Sequence, residues 1–512
     1  MSQGRTPLFR SLTSQLKAAH RSGKGWTRRE FMGSSAAAIA AATLPSCVGL
    51  GPDRHRKIDG PVIIVGGGIA GLTAAYTLMK AGVDCEIYEG SQRFGGRMFT
   101  KRNFNSDGMF CELGGELVDT HHKQIIHLCK ELGVGVQALK TGEKGLDFYH
   151  ADGRIYTDKD IVPAFQSLAR RIAADASGLT NAKGEYTAKA RKLDAVSLRA
   201  YLADAGTETP PWLIKMLDVA YACELGLDTD QQSALNLVDL ISPHTGDGFE
   251  LFGESDEAWR IEGGNDTLPT AVFNKIAGKV KTHPGHELKA IATGGSSVAL
   301  TFRNGGETVR RESAHVICAI PFTILRGIEG IRSLPLSAAK KRAIAEMGYG
   351  TNMKIMWGVK DRVWRQPTEG RTFLCNGSVV SDQPYQQVWE TSRGQKGSSG
   401  IITNFIGGTA GASWKPSRLQ AFPAEVQKVF PALAGQWDGN RAIMNWPQSR
   451  WMKGSYSSPR PGQYTWMYEA AAAPELEGAL HFAGEHTSSE SGGFMNGGVE
   501  SGQRAAKELL MV

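Results

Sequence analysis

Metal-binding cysteine spacing is absent from this chain. None of its seven cysteines (Cys47, Cys85, Cys111, Cys129, Cys223, Cys318, Cys375) forms a C-x-x-C pair or another metal pattern, so no metal site is expected. Cys85 and Cys318 sit in apolar, strand-like runs and read as core residues. Long hydrophobic runs are also missing: nothing after the first 57 residues could span a bilayer. No internal repeat stands out. A net excess of positive charge is missing once the N-terminus is passed. Residues 1–57 carry ten Lys/Arg against Glu30 and Asp53, so the chain's net +7 belongs to that leader and about −1 is left for the rest. The basic balance gives no reason to expect a nucleic-acid partner. What remains is 512 residues at 41% hydrophobic composition, enough for two or more interleaved domains.

The leader has the grammar of an export signal. Arg28-Arg29-Glu30-Phe31-Met32 precedes a short, Ala-rich apolar run from Gly33 to Leu44. Twin arginines before such a run mark the Tat route, which carries folded proteins. The periplasm is therefore the expected location and the Tat machinery an expected partner. Leu44-Pro45-Ser46-Cys47 resembles a lipobox, which would anchor the chain through lipid at Cys47. The proline there argues for plain cleavage nearby. Export would permit disulfides, but the sequence does not pair the cysteines.

The body is organised around Pro61–Glu89. Val62-Ile63-Ile64-Val65 is short and β-branched, as in a buried parallel strand. Gly66, Gly68 and Gly71 follow in G-x-G-x-x-G spacing. A helix from about Ile69 to Lys80 comes next, closed by Gly82, and then a strand from Asp84 to Tyr88 with Glu89 at its end. This is a βαβ dinucleotide fingerprint. Gly66 makes the tight turn, Gly68 lets backbone approach a pyrophosphate and Gly71 lets helix and strand pack. The pyrophosphate would lie on the helix N-terminus at Ile69 and Ala70, and Glu89 would accept hydrogen bonds from a ribose.

Further on stand Arg93-Phe94-Gly95-Gly96-Arg97-Met98 and Glu112-Leu113-Gly114-Gly115-Glu116-Leu117-Val118-Asp119. Gly95-Gly96-Arg97 can bring a guanidinium and free backbone to phosphate oxygens. With Arg260-Ile261-Glu262-Gly263-Gly264-Asn265, the strand His315–Ile320 before Pro321, Phe482-Ala483-Gly484-Glu485-His486-Thr487 and Gly492-Gly493-Phe494-Met495, the chain resembles the flavin-dependent amine oxidases of the monoamine oxidase type. The resemblance implies an α/β fold: a Rossmann-like FAD-binding domain with an interleaved α+β substrate domain. Segments 58–135, 255–337 and 445–512 would form the first, and 136–254 and 338–444 the second. Gly114, Gly115 and Glu116 would pass beside the flavin, Glu485 would contact cofactor hydroxyls, and Phe494 and Met495 would open the last helix against it. Thr141–Gly145 reads as a loop, Lys354–Val359 and Ile401–Ile406 as strands, and Ser392–Gly400 as a solvated linker.

Four residues are expected to serve the chemistry. Lys354 lies inside an apolar strand, which is costly without a partner. In the family a lysine here holds a water against flavin N5. Trp446 and Tyr456 match aromatic positions of the family, and Tyr456 with Phe494 would form two walls of an aromatic cage for an amine. Ser455 stands where the animal monoamine oxidases carry the cysteine that links their flavin, so FAD should be non-covalent. His486 lies in the flavin-contact motif and is not expected to be catalytic.

The resemblance thus implies oxidation of a primary or secondary amine to an imine, hydrolysed to an aldehyde or ketone, with O2 reduced to H2O2. Three rivals stay open. An L-amino acid oxidase needs an arginine for the substrate carboxylate soon after G-G-R. Glu116 there has the opposite charge, and reads as a partner for a second ammonium or as a solvated acid. A polyene desaturase would not need Lys354 and the aromatic pair. A flavin-binding protein without turnover is the third.

Overall fold

The computed structural model describes residues 58, 60–139, 145–206, 208–246, 248–366 and 373–511. The twin arginines and Cys47 lie outside them, as do Thr141–Lys144 of the expected loop.

Strand β1 (Val62–Val65) is the centre of a five-stranded sheet, with every residue at most 3% exposed. Strand β2 (Cys85–Tyr88) pairs with it on one side and Val316–Cys318 on the other. Lys281–His283 and Leu480–Phe482 complete the edges, and all four pairings are parallel. A sheet buried on both faces needs continuous apolar strands, which is what VIIV supplies. Helix α1 (Ile69–Lys80) covers one face. Helix α2 (Met495–Met511) from the far end of the chain crosses α1 closely: a Cβ on Gly502 would lie 2.3 Å from the Ala70 carbonyl oxygen. This is a Rossmann-like sheet of the FAD-binding type. A three-stranded antiparallel meander, 287–294, 297–304 and 307–313, hangs from it. The sequence reading had not separated that meander from its surroundings.

A second, seven-stranded sheet runs in the order 437–445, β3 (Met353–Val359), 400–406, 387–390, 375–381, 146–151 and 154–156. It is antiparallel except where 375–381 meets 146–151. Helices Asp158–Ala176, Leu198–Ala203 and Pro211–Leu225 pack beside it around Phe165, Leu213 and Tyr221. Together these make the α+β unit.

Ser392–Gly400 is not solvated throughout: Gly394 and Lys396–Ser398 are exposed, but Ser392, Arg393 and Ser399 at its two ends are buried. Arg260 donates to the carbonyls of Thr391 and Arg393 at 2.8 Å each, and Ser399 donates to Asp107 at 2.6 Å. A Gly/Ser-rich composition signals a turn, but buried donors from other segments pin this one. Among the described residues no helix is long and apolar enough to cross a membrane, and the six described cysteines are buried. Burial pushes the Cys85, Cys111 and Cys129 thiols up to about 12, so they are not reactive thiolates.

The packing of the first turn can be tested. A Cβ at Gly71 would sit 2.0 Å from the Gly66 carbonyl oxygen, in backbone that cannot move without breaking β1 or α1. Gly71→Ala is expected to destabilise the protein by about 2 kcal/mol or more. Thermal denaturation of purified wild type and variant would check this, with Gly306→Ala, in open space and without a positive φ, as the control.

Candidate active site

A single cavity of about 2710 Å³ runs from the turn after β1 into the helical part of the second unit. Gly66, Gly68, Ile69, Ala70, Glu89, Gly95, Gly96 and Arg97 line one end. Gly114, Gly115, Glu116, Lys354, Trp446, Tyr456, Gly484, Glu485, Phe494 and Met495 line the region next to it. The chain thus brings together all of the expected catalytic and cofactor-binding residues except Gly71, whose role is packing.

The dinucleotide end is a backbone cradle. Glu89 accepts from the Gly67 amide at 2.7 Å and the Ser91 amide at 2.8 Å, which fixes its carboxylate beside the turn. A Cβ on Gly68 would meet only Gly96 Cα, at 3.8 Å, so the turn faces open cavity. Helix α1 has no side-chain cap and no acid in its first turn, leaving its N–H groups and dipole for an anion. A pyrophosphate with flanking riboses fits this donor set, and so does the Arg97 guanidinium next to it.

Arg97 donates to the Glu485 carboxylate at 2.8 Å and to the Ser455 carbonyl at 2.7 Å. Glu485 also accepts from Ser457 Oγ and the Gly493 amide, both at 2.7 Å. Those donors take part of the carboxylate's acceptor capacity. Glu485 is therefore a hub that holds three segments together at the cavity wall, where its remaining acceptor capacity faces the space expected for cofactor hydroxyls. Burial alone would raise its pKa. Arg97 and neighbouring groups, with the bond from Ser457, outweigh that and hold it low. His486 behind it is buried against Phe322 and does not line the cavity. Burial pushes its imidazole down to about 3, so it stays neutral.

Gly114 and Gly115 admit no side chain: a Cβ on Gly114 would lie 1.8 Å from the Arg97 carbonyl oxygen, and one on Gly115 2.7 Å from Met495 Cγ. Asn265 pins this segment from behind, donating to the carbonyls of Gly115 and Glu116 at 2.8 Å each. Trp446 is 5% exposed, donates to the Leu113 carbonyl at 3.0 Å and closes over Gly114 as a wall.

Lys354 does not snorkel, and Glu116 is not a solvated acid. Their side chains are 4% and 5% exposed, with Nζ 2.6 Å from Glu116 Oε2. Thr391 donates to the other carboxylate oxygen at 2.8 Å. The Trp389 ring centre lies 5.3 Å from Nζ. Burial would raise the Glu116 carboxyl, but the Lys354 ammonium and the bonds from Lys354 and Thr391 hold it below the usual range. Thr391 and Trp389 were missed from sequence, being in the segment without family motifs. The alternating Gln387-Val388-Trp389-Glu390 was the one signal that every second side chain would share a face.

The aromatic positions both reach the cavity. The Tyr456 hydroxyl donates to the Glu224 carbonyl, and Phe494 stands with its ring centre 4.9 Å from that of His122. Ser455 Oγ donates to Asn352 Oδ1 at 2.7 Å. No cysteine lines the cavity among the described residues, so no thioether to a flavin can form there. Asp119, His121 and His122 cluster with potential ligand atoms within 4.8 Å of one another. However, His122 Nδ1 accepts from the Asp119 amide at 3.0 Å, which leaves the ring proton on Nε2 and makes that nitrogen a donor facing Asp119, not a metal ligand.

Glu112 lies under the same segment, accepting from the Asn265 amide and Thr100 Oγ1 at 2.8 Å each. Burial raises its carboxyl to about 8. The folded state thus favours the neutral acid: its stabilising share is full below the unfolded-state pKa and is lost as pH rises through about 8. Melting temperature should fall by several degrees between roughly pH 5 and 9, and Glu112→Gln should flatten that decline. An identical slope in the variant would assign it elsewhere.

A model of the family described as flavin containing amine oxidoreductase matches residues 69–510. Among curated proteins the chain is similar to the flavin-dependent L-tryptophan oxidase RebO of Lentzea aerocolonigenes, 27% identical over 494 residues, covering 89% of this chain and 98% of that protein. It is also similar to (S)-6-hydroxynicotine oxidase of Paenarthrobacter nicotinovorans, at 26% over 462 residues, 88% and 99%. Of solved structures, cyclohexylamine oxidase from Brevibacterium oxydans IH-35A shares the fold at a TM-score of 0.72 and 22% identity, covering 88% of this chain and 98% of that one. Putrescine oxidase bound to putrescine does so at 0.72 and 20%, covering 88% and 99%. With the family match running from α1 to the end of α2 around a cavity built for a flavin dinucleotide, this chain belongs to the flavin containing amine oxidoreductases and is an FAD-binding oxidoreductase.

Proposed function

We propose that the protein oxidises a primary or secondary amine to an imine, which water hydrolyses to an aldehyde or ketone, with O2 reduced to H2O2. The observation that carries this reading is the state of three of the cavity's cations, set against the acids that line it. Lys354 is taken up by Glu116, Arg97 by Glu485, and Arg260 by the carbonyls of Thr391 and Arg393. None of these three stands ready for a substrate carboxylate. The opposite wall is acidic: no Lys or Arg occurs between Lys215 and Arg260, and Glu224, Asp239, Glu250, Glu254, Asp256 and Glu257 line the cavity. Such a wall draws ammonium ions and repels carboxylates.

Bound FAD supplies the two-electron acceptor and hands the electrons to oxygen. The chain's own residues bind and orient. Tyr456 and Phe494 present aromatic faces to the amine, with the Tyr456 ring held by its bond to Glu224. Trp446 and the glycines of 114–115 keep that end of the cavity narrow. Lys354 supplies a buried ammonium to the flavin half-reactions. The likeness to an L-tryptophan oxidase makes L-amino acids the second reading.

An oxygen-electrode panel of monoamines, diamines, N-substituted amines and L-amino acids, with peroxide measured alongside, tests this directly. Peroxide with amines and none with L-amino acids is expected; the reverse moves the protein to the second reading, and no peroxide with any member rejects both. In the same assay Lys354→Met should slow flavin reduction or reoxidation by about ten-fold, or about 1.4 kcal/mol of barrier.

We further propose Tat export to the periplasm, on the twin arginines before the Ala-rich run. Replacing Arg28 and Arg29 by lysine together should hold the protein in the cytoplasm, read by cell fractionation. Normal periplasmic accumulation would reject the route. Cys47→Ala separates lipid anchoring from plain cleavage by membrane association in the same fractions.

A further inference from the structure

The Lys354–Glu116 pair is built from several directions. Lys354 projects from β3, flanked across the sheet by Phe405 and Met444. Its Nζ donates to Glu116 Oε2 at 2.6 Å and to the Gly114 carbonyl at 3.2 Å. Glu116 in turn is held by Thr391 Oγ1, which is 2.6 Å from Thr403 Oγ1, and its carbonyl accepts from Asn265. An ammonium has three N–H donors. Two are committed to Glu116 and Gly114, so the third is the one this arrangement offers to the cavity that both residues line. Removed from water without a counter-ion, the same ammonium would be costly and would give up its proton readily.

We propose that Glu116 is a positioning residue for Lys354: it keeps the ammonium charged at the cavity wall and fixes the direction of the one donor left over. Glu116 need touch neither substrate nor flavin to do this. The inference rests on the proposed part of Lys354 in the flavin half-reactions. Three other groups face the pair. Glu112 and Cys111 come from strand Cys111–Glu112, and Arg260 from strand Trp259–Ile261. Arg260 is tied to the carbonyls of Thr391 and Arg393, and Glu112 to Asn265 and Thr100, so neither replaces Glu116 as the counter-ion.

The test uses the FAD-loaded protein and two readouts. The first is a thermal double-mutant cycle. Glu116→Gln and Lys354→Met should each lower the melting temperature by about 3 °C or more, since each leaves a buried group unpaired. The double variant should lose clearly less than the sum. The second is the pH dependence of flavin reoxidation by O2 after chemical reduction with dithionite, which needs no amine substrate. Glu116→Gln should run near wild type at the acid end and fall about ten-fold at the alkaline end, in a step that wild type lacks. Glu116→Asp, which keeps the charge, should restore most of the wild-type profile, and it serves as the informative variant if Glu116→Gln does not fold. Additive melting losses, or a Glu116→Gln profile parallel to wild type, overturn the proposal. A coupled cycle and a new pH step in a protein that oxidises no amine would support the positioning role and reject the amine oxidase reading alone.

Discussion

Burying charge far from its sequence neighbours is the constraint on which this structure turns. Arg97 and Glu485 are 388 residues apart, yet they meet at 2.8 Å with the acid almost wholly buried. A buried pair of this kind adds little net stability, because desolvation offsets attraction. Breaking it is what costs. Glu485 alone would be a buried carboxylate without its counter-ion, so folds that leave the two termini of the FAD-binding unit apart are penalised. Ser457 and Gly493 add donors to the same carboxylate. The last helix, the Tyr456 segment and the Gly-Gly-Arg turn are thereby held in one arrangement around the cavity.

The second unit is tied in by the same physics. β3 pairs with 400–406 and 437–445, so its register decides which of its side chains can reach Glu116. A one-residue slip would turn Lys354 to the opposite face and leave Glu116 unpaired. Arg260 reaches the other way, from the FAD-binding unit into the turn after Glu390, where its guanidinium lies over the Phe110 ring and binds two carbonyls. The cavity is therefore framed by rigid backbone on both sides, the better support for orienting a small substrate.

Local rules were enough to read the first βαβ unit. The helix runs Ile69–Lys80 as its pattern indicates, and the second strand starts within one residue of its expected place, because apolar run, glycine spacing and acid all lie within one short segment. Lys354 could be singled out for needing a partner, but the partner was illegible: Glu116 lies 238 residues away, and its pairing is created by strand register. The same holds for Thr391 and Trp389. Ser392–Gly400 was only partly legible because composition reports flexibility in isolation and says nothing of donors arriving from Arg260 and Arg362. Glu485 could be placed at the cofactor end because its motif names its neighbourhood, but its bonds to Arg97 and Ser457 could not be read from sequence. Which of several nearby donors takes a carboxylate is settled only in three dimensions.

The distribution of charge along the cavity unites these features. At the end lined by Gly114, Lys354 and Arg97 the charges are present but paired, so the local field is that of oriented dipoles with little net charge. Along Asp239–Glu257 acids reach the lining with no Lys or Arg among them. On the proposed amine oxidase reading, the substrate arrives from water mostly as an ammonium, yet its oxidation requires the neutral form. A wall that attracts the cation and an end that offers it no anionic partner divide those two demands in space. Glu116, the one acid beside Lys354, is already neutralised and cannot hold the substrate as an ion pair. Pairing of Lys354 with Glu116 thus does two things through one contact: it keeps a buried ammonium in place and removes the carboxylate that would otherwise trap the amine in its unreactive form.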